Sequence, residues 1–329
     1  SRRCAIIVII FGNVISRGRS YENLPFCHCE MAPLARYSIS SKNIWIMTSI
    51  RTTEMITSPS NARVRSTMKL RDASVRRETG LTLIDGQREI QRCLTAKKQI
   101  VEIFFDADSF PTLSDTDQKN FELLLREASA QTASLTPLST RAFSKIAFGS
   151  RNEGIVAVAR FQTDSVAVFK PRPDAPIFIL EGIEKPGNLG AIFRTADAAG
   201  FGGIIICGKG TDASNPAVIR ASLGTVFSMP VACDTTPTVM QWCISRKQNI
   251  VAATPDGTTP WHAVEFANQP AILLGSEANG LSSLWLEADT KKKIALETVA
   301  LPMLGLADSL NVSATAAVLA YESLRQREL

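Results

Sequence analysis

The second half of the chain alternates short apolar runs with mixed segments. The apolar runs are continuous, which predicts strands buried on both faces and hence a mainly parallel sheet between helices. The predicted strands are residues 177–180, 203–207, 250–253 and 271–275. The predicted helices are residues 188–199, 215–222, 238–247 and 312–325.

The first half becomes regular from about residue 58. Its predicted strands are residues 81–84, 100–105 and 155–161, and its predicted helices are residues 61–72, 87–96 and 115–128. Asn61 is a candidate cap of the first helix. Strands that alternate with helices predict a small α/β domain over residues 51–162. Residues 163–176 contain three prolines and are expected to be a linker to a second domain over residues 177–329.

The N-terminal residues differ from the rest. Basic residues precede a short apolar run, no clean small-residue cleavage site follows, and Met47 stands just before a segment of different character. We expect residues 1–50 to be an extension outside the fold, with a targeting peptide as the second interpretation. Cys27-His28-Cys29 is too isolated to build a tetrahedral zinc site, so no metal site is predicted.

Composition narrows the class of protein. A chain of 329 residues with 45% hydrophobic and 20% charged residues is long enough for two globular domains. The net charge of +5 weakly favours a polyanionic binding partner. Cys207 and Cys233 lie in apolar runs and are expected to be core thiols, which favours a reducing, cytoplasmic location. No stretch is long enough to span a bilayer, so no membrane partner is expected.

Common catalytic and nucleotide-binding motifs are missing from the sequence. It has no G-x-G-x-x-G after a strand, P-loop, H-E-x-x-H or G-x-S-x-G. His28 and His262 are the two histidines, and His262 has no Ser or Cys motif beside it. Since His28 lies in the N-terminal extension, a histidine-based triad is not expected.

Two loops that follow predicted strands carry candidate site residues. In the first, over residues 181–196, Asn188 is either a simple helix cap or a site residue. Arg194 lies in an apolar turn of the same segment, and a buried guanidinium there must be paired or bind an anion. In the second, over residues 274–281, Glu277 stands between Gly275 and Gly280 at the end of a buried strand, where clefts of α/β sheets form.

A third loop, over residues 301–313, breaks at Pro302 and Gly305 before the last predicted helix. Ser309 is the expected cap of that helix. Asn311 is then a second polar side chain that a simple cap does not need. Because the three loops follow strands of one sheet, a shared site is favoured over independent caps.

A basic segment spans residues 63–77. It is either a solvated helix face or a surface that contacts nucleic-acid phosphates, which supply affinity but little sequence information. Its basic residues are Arg63, Arg65, Lys69, Arg71, Arg76 and Arg77.

The three loops resemble the three motifs of the SpoU/TrmH family of RNA 2′-O-ribose methyltransferases, within the SPOUT superfamily. The matching segments are residues 188–190 with 194–196, residues 275–277 with 280–281, and residues 302–303 with 309–313. Local departures at residues 185–187 and at Asn279 leave these motif residues intact. Residues from about 57 to 160 resemble, more weakly, the RNA substrate-binding domain of the family, a small α/β domain of ribosomal-protein type.

The resemblance implies an α/β fold whose C-terminal chain threads a loop to form a deep trefoil knot. It also implies a homodimer with a site completed across the two knots. S-adenosylmethionine is then expected to bind in the knot. The implied cofactor-binding residues are Leu274, Gly275, Glu277, Gly280, Leu301, Met303, Ser309 and Leu310.

The implied reaction is methyl transfer to a ribose 2′-hydroxyl of structured RNA, in which positioning carries much of the rate. The implied catalytic residues are Arg194, Asn188, Glu277, Ser309 and Asn311. Arginine stays protonated under ordinary conditions, so a guanidinium at this position acts either as a desolvated base or as a charged stabiliser. Both roles stay open.

Two other functions remain as alternatives. One is an RNA-binding or assembly protein with an inactive knotted domain, and the presence of Arg194 and Asn311 argues against it. The other is a base methyltransferase of the same superfamily, although residues 309–311 favour the ribose subgroup. A separate N-terminal domain favours rRNA over tRNA as substrate.

Overall fold

The computed structural model describes residues 52–148, 153–291 and 293–328. These residues form one compact unit that contains two sheets. The predicted extension over residues 1–50, with its Cys27-His28-Cys29 sequence, lies outside the described residues.

A four-stranded sheet with strand order β1-β4-β2-β3 organises the first part of the chain. Strand β4 is antiparallel to both β1 and β2, whereas β2 and β3 are parallel. The strands are β1 (Leu81–Asp85), β2 (Ile100–Asp106), β3 (Ser134–Leu138) and β4 (Ile155–Arg160). The helices are α1 (Ala62–Lys69), α2 (Ala73–Thr79), α3 (Gln87–Thr95), α4 (Asp115–Ala130) and α5 (Thr140–Ile146).

The helices cover both faces of this sheet. Successive strand residues point to opposite faces, so Leu83 and Ile84 belong to different clusters of the core. Helices α1 and α5 pack on the face of Leu83, through Val64 and Phe143 among others. Helices α3 and α4 pack on the face of Ile84, in a cluster that includes Phe121.

The sequence-based prediction for this part is partly confirmed. Asn61 does cap α1, because its Oδ1 accepts a hydrogen bond from the Arg63 backbone N–H at 2.8 Å. The helix predicted over residues 61–72, however, ends at Lys69, and a second helix starts at Ala73. Strand β3 and helix α5 were missed because the segment from Ser134 reads as polar, with alternating Ser, Thr and Pro among the buried leucines.

A seven-stranded sheet with strand order β7-β6-β5-β10-β8-β11-β9 organises the second part, and all its neighbouring strands are parallel. Its strands are β5 (Ile177–Glu181), β6 (Gly203–Cys207), β7 (Val231–Asp234), β8 (Asn249–Ala253), β9 (Thr259–Pro260), β10 (Ala271–Leu274) and β11 (Ala295–Ala300). The helices are α6 (Pro186–Ala198), α7 (Pro216–Ala221), α8 (Thr236–Arg246), α9 (Ser283–Thr290) and α10 (Val312–Glu328). The expected parallel sheet between helices is confirmed.

The segment 163–176 has no helix or named strand, but it is not a free linker. The Asp164 backbone N–H donates to the Val231 carbonyl at 3.3 Å, and the Cys233 N–H donates to the Asp164 carbonyl at 2.8 Å. Val166 and Phe169 are buried in the core. The segment therefore pairs with β7 at the sheet edge, and the predicted domain boundaries stay a prediction.

Ion pairs and an aromatic contact join the two parts of the chain that carry the two sheets. The Arg76 side chain, which is 2% exposed, forms an ion pair of 2.6 Å with Asp212 in the loop after β6. Arg220 on α7 pairs with Asp85 at the end of β1 at 3.4 Å. The rings of Phe161 and Phe227 meet edge to face with centroids 5.2 Å apart. The two sheets thus share a packed interface.

Candidate active site

A cleft of about 560 Å³ opens at the carboxyl edge of the seven-stranded sheet. Ligands of open α/β sheets bind outside this edge, and small-molecule sites commonly measure roughly 300–1,000 Å³. The cleft therefore has the position and size of a cofactor site. It is lined by Lys185, residues 253–255, residues 274–280, Val299, Leu301, Met303, residues 308–312 and Thr315.

The loop after β10 folds back tightly on itself. Ser276 and Gly280 exchange backbone hydrogen bonds of 2.9 and 3.0 Å. A Cβ atom at Gly275 would overlap the backbone of Gly280, which itself has a φ of +64°. Glycine at both positions permits this close approach, and the turn carries Glu277 at its tip.

Three side chains from the three loops form one hydrogen-bonded chain. Nδ2 of Asn188 donates to Oε1 of Glu277 at 2.7 Å, and Nδ2 of Asn311 donates to Oδ1 of Asn188 at 3.1 Å. The backbone N–H of Glu184 donates to the second carboxylate oxygen of Glu277 at 3.2 Å. Asn188 is thereby joined to residues 89 and 123 positions further along the chain.

Asn188 is not the cap of helix α6. The helix begins at Pro186, with Lys185 in the cap position, because proline fits the first helical residue without losing a hydrogen bond. Asn188 lies in the first turn, 9% exposed, and its amide is used by Glu277 and Asn311. The simple-cap interpretation of Asn188 is therefore wrong.

Asn311, rather than Ser309, caps the last helix. Oδ1 of Asn311 accepts from the backbone N–H of Ser313 at 2.9 Å and from its hydroxyl at 2.7 Å. The prediction that Ser309 is the cap is wrong, because α10 begins at Val312 and Ser309 lies too far upstream. Ser309 is exposed and lines the cleft.

The electrostatic environment keeps Glu277 ionised. Partial burial, the largest single influence, raises the pKa of the Glu277 carboxyl. Hydrogen bonds from Asn188 and from the backbone amides of Glu277, Glu184 and Lys185 outweigh it together, so the net pKa lies below the ordinary value. Glu277 is therefore a hydrogen-bond acceptor and not a proton donor at neutral pH.

Arg194 lies apart from this chain of contacts. Helix α6 buries Ile192, Phe193 and Ala196, which leaves Arg194 exposed on the outer side. It has no hydrogen bond or ion pair with any residue of the described ranges. The condition under which its guanidinium would need a partner, burial in an apolar turn, is therefore not met, and Arg194 is not among the residues that line the cleft.

The cofactor-binding residues implied by the family resemblance all line the cleft. Of the implied catalytic residues, Glu277, Ser309 and Asn311 line it as well. Sequence reasoning missed Thr254 and Pro255, which follow β8 and line the same cleft. A Thr-Pro pair after an apolar strand was the available signal. The predicted cofactor residues are Leu274, Gly275, Glu277, Gly280, Leu301, Met303, Ser309 and Leu310.

The basic segment divides into paired and free side chains. The prediction that Arg76 contacts RNA is wrong, because its side chain is buried and donates to Asp212, Ser214 and two backbone carbonyls. Arg63 forms an ion pair with Glu102, and Arg71 donates to three carbonyls at the end of α5. The exposed members with no such partner in the described chain are Arg65, Lys69 and Arg77.

Other classes of site find little support in the part of the chain that the structure describes. None of its helices has the length and apolar character needed to cross a membrane. No group of three or more His, Cys, Asp or Glu side chains there could hold a metal ion. Cys207 is buried as expected, and burial raises the pKa of its thiol to about 12. The prediction that Cys233 is also a core thiol is wrong, because Cys233 is exposed on β7 at the edge of the sheet.

An α/β protein with a cofactor-sized cleft at the carboxyl edge of a parallel sheet is the class that the fold and site define. The SpoU rRNA methylase family model matches residues 175–321, and an MRM3-like substrate binding domain model matches residues 61–157. A solved RNA 2′-O ribose methyltransferase is 34% identical, with a TM-score of 0.69, and the match covers 84% of this chain and all of that one. The chain belongs to the SpoU rRNA methylase family.

A curated sequence and a solved structure from Streptomyces viridochromogenes are also similar. A 23S rRNA (uridine(2479)-2′-O)-methyltransferase is 32% identical, and the match covers 54% of this chain and 63% of that enzyme. The SpoU methyltransferase AviRb, solved in complex with the cofactor AdoMet, is 26% identical with a TM-score of 0.70 and covers 82% of this chain and 98% of that one.

Proposed function

We propose that the protein transfers a methyl group from S-adenosylmethionine to a ribose 2′-hydroxyl of structured RNA, with rRNA preferred over tRNA. The observation that carries the proposal is the hydrogen-bonded chain of Glu277, Asn188 and Asn311 beside the cleft. Independent caps do not need three polar side chains from distant loops in mutual contact. The relatives that methylate ribose of 23S rRNA support the substrate class.

The residues of the cleft suit S-adenosylmethionine. Leu301, Leu310 and Val299 offer apolar surface for a purine ring, and the loop after β10 offers backbone N–H and C=O groups. When bound, the cofactor supplies a sulfonium methyl group, and its transfer releases S-adenosylhomocysteine and the 2′ proton. Glu277 and Ser309 would hold the polar part of the cofactor.

The remaining side chains would orient the RNA. Asn188 and Asn311 fix the relative positions of the first and third loops, so the ribose is presented in one orientation. We assign Arg194 the role of charged stabiliser, which binds phosphate and steadies the developing negative charge on the 2′ oxygen. Its exposure supports this role over that of a desolvated base.

We also propose a homodimer and a trefoil knot. Leu304 and Leu306 are 98% and 104% exposed in the loop between β11 and α10, and a soluble chain gains by covering such side chains. We propose that a second copy covers this loop and that Arg194 of one chain completes the cleft of the other. The knot follows from the family resemblance, and it is compatible with the shared lining of one cleft by residues 274–280, Leu301, Met303 and residues 308–312.

The domain assignment and the location belong to the same proposal. We assign residues 51–162 to RNA binding, 163–176 to the connection and 177–329 to methyl transfer. A cytoplasmic location remains a prediction from the cysteine residues.

The test incubates purified protein with labelled S-adenosylmethionine and unmodified rRNA transcripts, with tRNA alongside. The wild type should place label in a 2′-O-methylated nucleotide of rRNA. Arg194→Ala should lower kcat by about 10²-fold to 10³-fold, the usual effect of removing a group that stabilises developing charge, and Arg194→Lys should recover part of the rate.

The outcomes separate the alternatives. Label in tRNA alone would keep the reaction and change the substrate. Label in a base would indicate a base methyltransferase. If the wild type does not bind S-adenosylmethionine, the proposal of an enzyme is overturned. The alternative of an RNA-binding protein with an inactive knotted domain then takes its place.

A further inference from the structure

We propose that helices α1 and α5 together form a second RNA contact, which binds the phosphate backbone of the substrate outside the catalytic cleft. The inference rests on the proposed function and deepens it. We call this surface the two-helix basic face. It consists of Arg65, Lys69, Arg141 and Lys145.

The two helices lie side by side on one face of the four-stranded sheet. Val64 of α1 and Phe143 and Ile146 of α5 belong to the same buried cluster as Phe104 of β2. Both helices therefore present their remaining residues to the same side of the molecule. Arg71 ties them together, because its guanidinium donates to the carbonyls of Lys145, Ile146 and Ala147 at 3.1, 3.3 and 2.9 Å.

The charge on these helices has one sign. Helix α1 (ARVRSTMK) and helix α5 (TRAFSKI) contain five basic residues and no acidic residue. Arg65 and Lys69 are four residues apart, as are Arg141 and Lys145, so each pair lies on one side of its helix. All four side chains are exposed, and none has a hydrogen bond or ion pair within the described ranges.

The opposite face of the same sheet has no such bias. Helices α3 (QREIQRCLT) and α4 (DTDQKNFELLLREASA) together contain four basic and five acidic residues. A solvated surface commonly mixes both signs. The segregation of charge to α1 and α5 therefore indicates a polyanionic partner on that side.

Structured RNA fits the two-helix basic face better than an acidic protein does. Neither helix presents an exposed large apolar side chain, so the contact has no hydrophobic centre of the kind protein interfaces use. Repeated basic side chains without aromatic residues are suited to a duplex backbone.

The two-helix basic face is fixed relative to the catalytic part of the chain. Arg76, in helix α2, which follows α1 in the chain, pairs with Asp212 in the loop after β6. In that loop, the Thr211 N–H donates to the carbonyl of Ile183 at 2.8 Å. The next residue, Glu184, donates its backbone N–H to the Glu277 carboxylate. The two-helix basic face and the cleft therefore belong to one compact unit, so that RNA held on this face is held at a fixed place relative to the cleft.

The test measures binding of unmodified rRNA transcript to the full chain at a series of salt concentrations. Arg141→Gln/Lys145→Gln should weaken binding about tenfold and reduce the slope of log Kd against log salt by about 2, one for each lost phosphate contact. The matched control, Lys97→Gln/Lys119→Gln, removes the same charge from exposed positions on the side of α3 and α4 and should keep the wild-type slope.

Wild-type affinity and slope in Arg141→Gln/Lys145→Gln would overturn the proposal. An equal loss of affinity and slope in both double variants would also overturn it, because it would indicate a general effect of net charge. Melting temperatures show whether the variants are folded. If the wild type binds and methylates RNA while Arg141→Gln/Lys145→Gln binds it normally, the basic face fails and the enzymatic function stands. If the wild type neither binds nor methylates RNA, the proposed function fails with it.

Discussion

Asn188 uses both ends of its side-chain amide, donating to Glu277 and accepting from Asn311. A carboxylate cannot donate and an alkyl group can do neither, so no other common side chain of this size fills the position. The residue is buried, and an unpaired polar partner left beside it is costly. The polarity of one amide therefore sets how three loops meet.

We expect Asn188→Asp to lower kcat/KM for RNA methylation by about 10²-fold, because a second carboxylate would repel Glu277 and displace the loops. Steady-state kinetics with labelled S-adenosylmethionine measures the loss. Asn120→Asp, an exposed position on α4, is the control and should retain wild-type kinetics. Unchanged kcat/KM in Asn188→Asp would show that the hydrogen-bonded chain has no part in the reaction.

At the level of elements, the end of β5 determines where the loop after β10 finishes. Glu181 is 6% exposed and accepts hydrogen bonds from the Ser282 N–H at 2.8 Å, the Ser282 hydroxyl at 2.9 Å and the Trp285 indole at 3.2 Å. The Thr236 hydroxyl, on α8, also donates to it at 2.7 Å. One buried carboxylate thus joins β5, α8 and the start of α9.

Glu181→Gln should weaken S-adenosylmethionine binding about tenfold, because an amide NH₂ would face donors and the loop over residues 275–281 would lose its fixed end. We also expect a loss of about 2 kcal/mol in the free energy of unfolding. Calorimetric titration with the cofactor and urea unfolding measure the two effects. Glu297→Gln, exposed on β11, should change neither. Wild-type cofactor affinity in Glu181→Gln would remove Glu181 from the support of the site.

For the whole molecule, the important feature is the interface between the two sheets. Asp85 is 4% exposed and pairs with Arg220 at 3.4 Å, and it also accepts from the backbone N–H of Phe148. Burial raises the pKa of the Asp85 carboxyl from 3.8 to about 6, against the opposing effects of Phe148 and Arg220. The folded protein therefore binds this proton more tightly than the unfolded chain does.

The stability that Asp85 contributes should be greatest below pH 3.8 and should be lost as pH rises towards about 6. Relative to Asp85→Asn, the wild type should lose up to about 3 kcal/mol of unfolding free energy over that interval, and no more at higher pH. Urea unfolding of both proteins from about pH 4 to about pH 7 measures the difference. A difference that stays constant with pH would contradict the assignment to Asp85.

The amino-acid sequence by itself determined the parallel sheet, because runs such as Gly203–Cys207 are apolar at every position and can be buried only between two layers. It also determined the choice of loops, because Gly275 and Glu277 stand where a strand ends and Asn311 stands where the last helix begins. These features depend on the order of apolar, polar and glycine residues within short segments, which the amino-acid sequence contains directly. Strand β3 and helix α5 were not predicted from the sequence, because their burial depends on contacts with β2 and α1 and is not evident from their own composition.

The tertiary structure alone decided which side chains face each other. The structure shows Asn188, a possible cap, as a buried link, and Arg76, a possible phosphate contact, as an interface residue. It also shows that Arg194, whose burial the sequence left open, is exposed. Each outcome depends on partners more than 80 residues away or on the face that a helix buries. Sequence fixes which groups are available, whereas their pairing, burial and charge environment arise only when distant segments pack together.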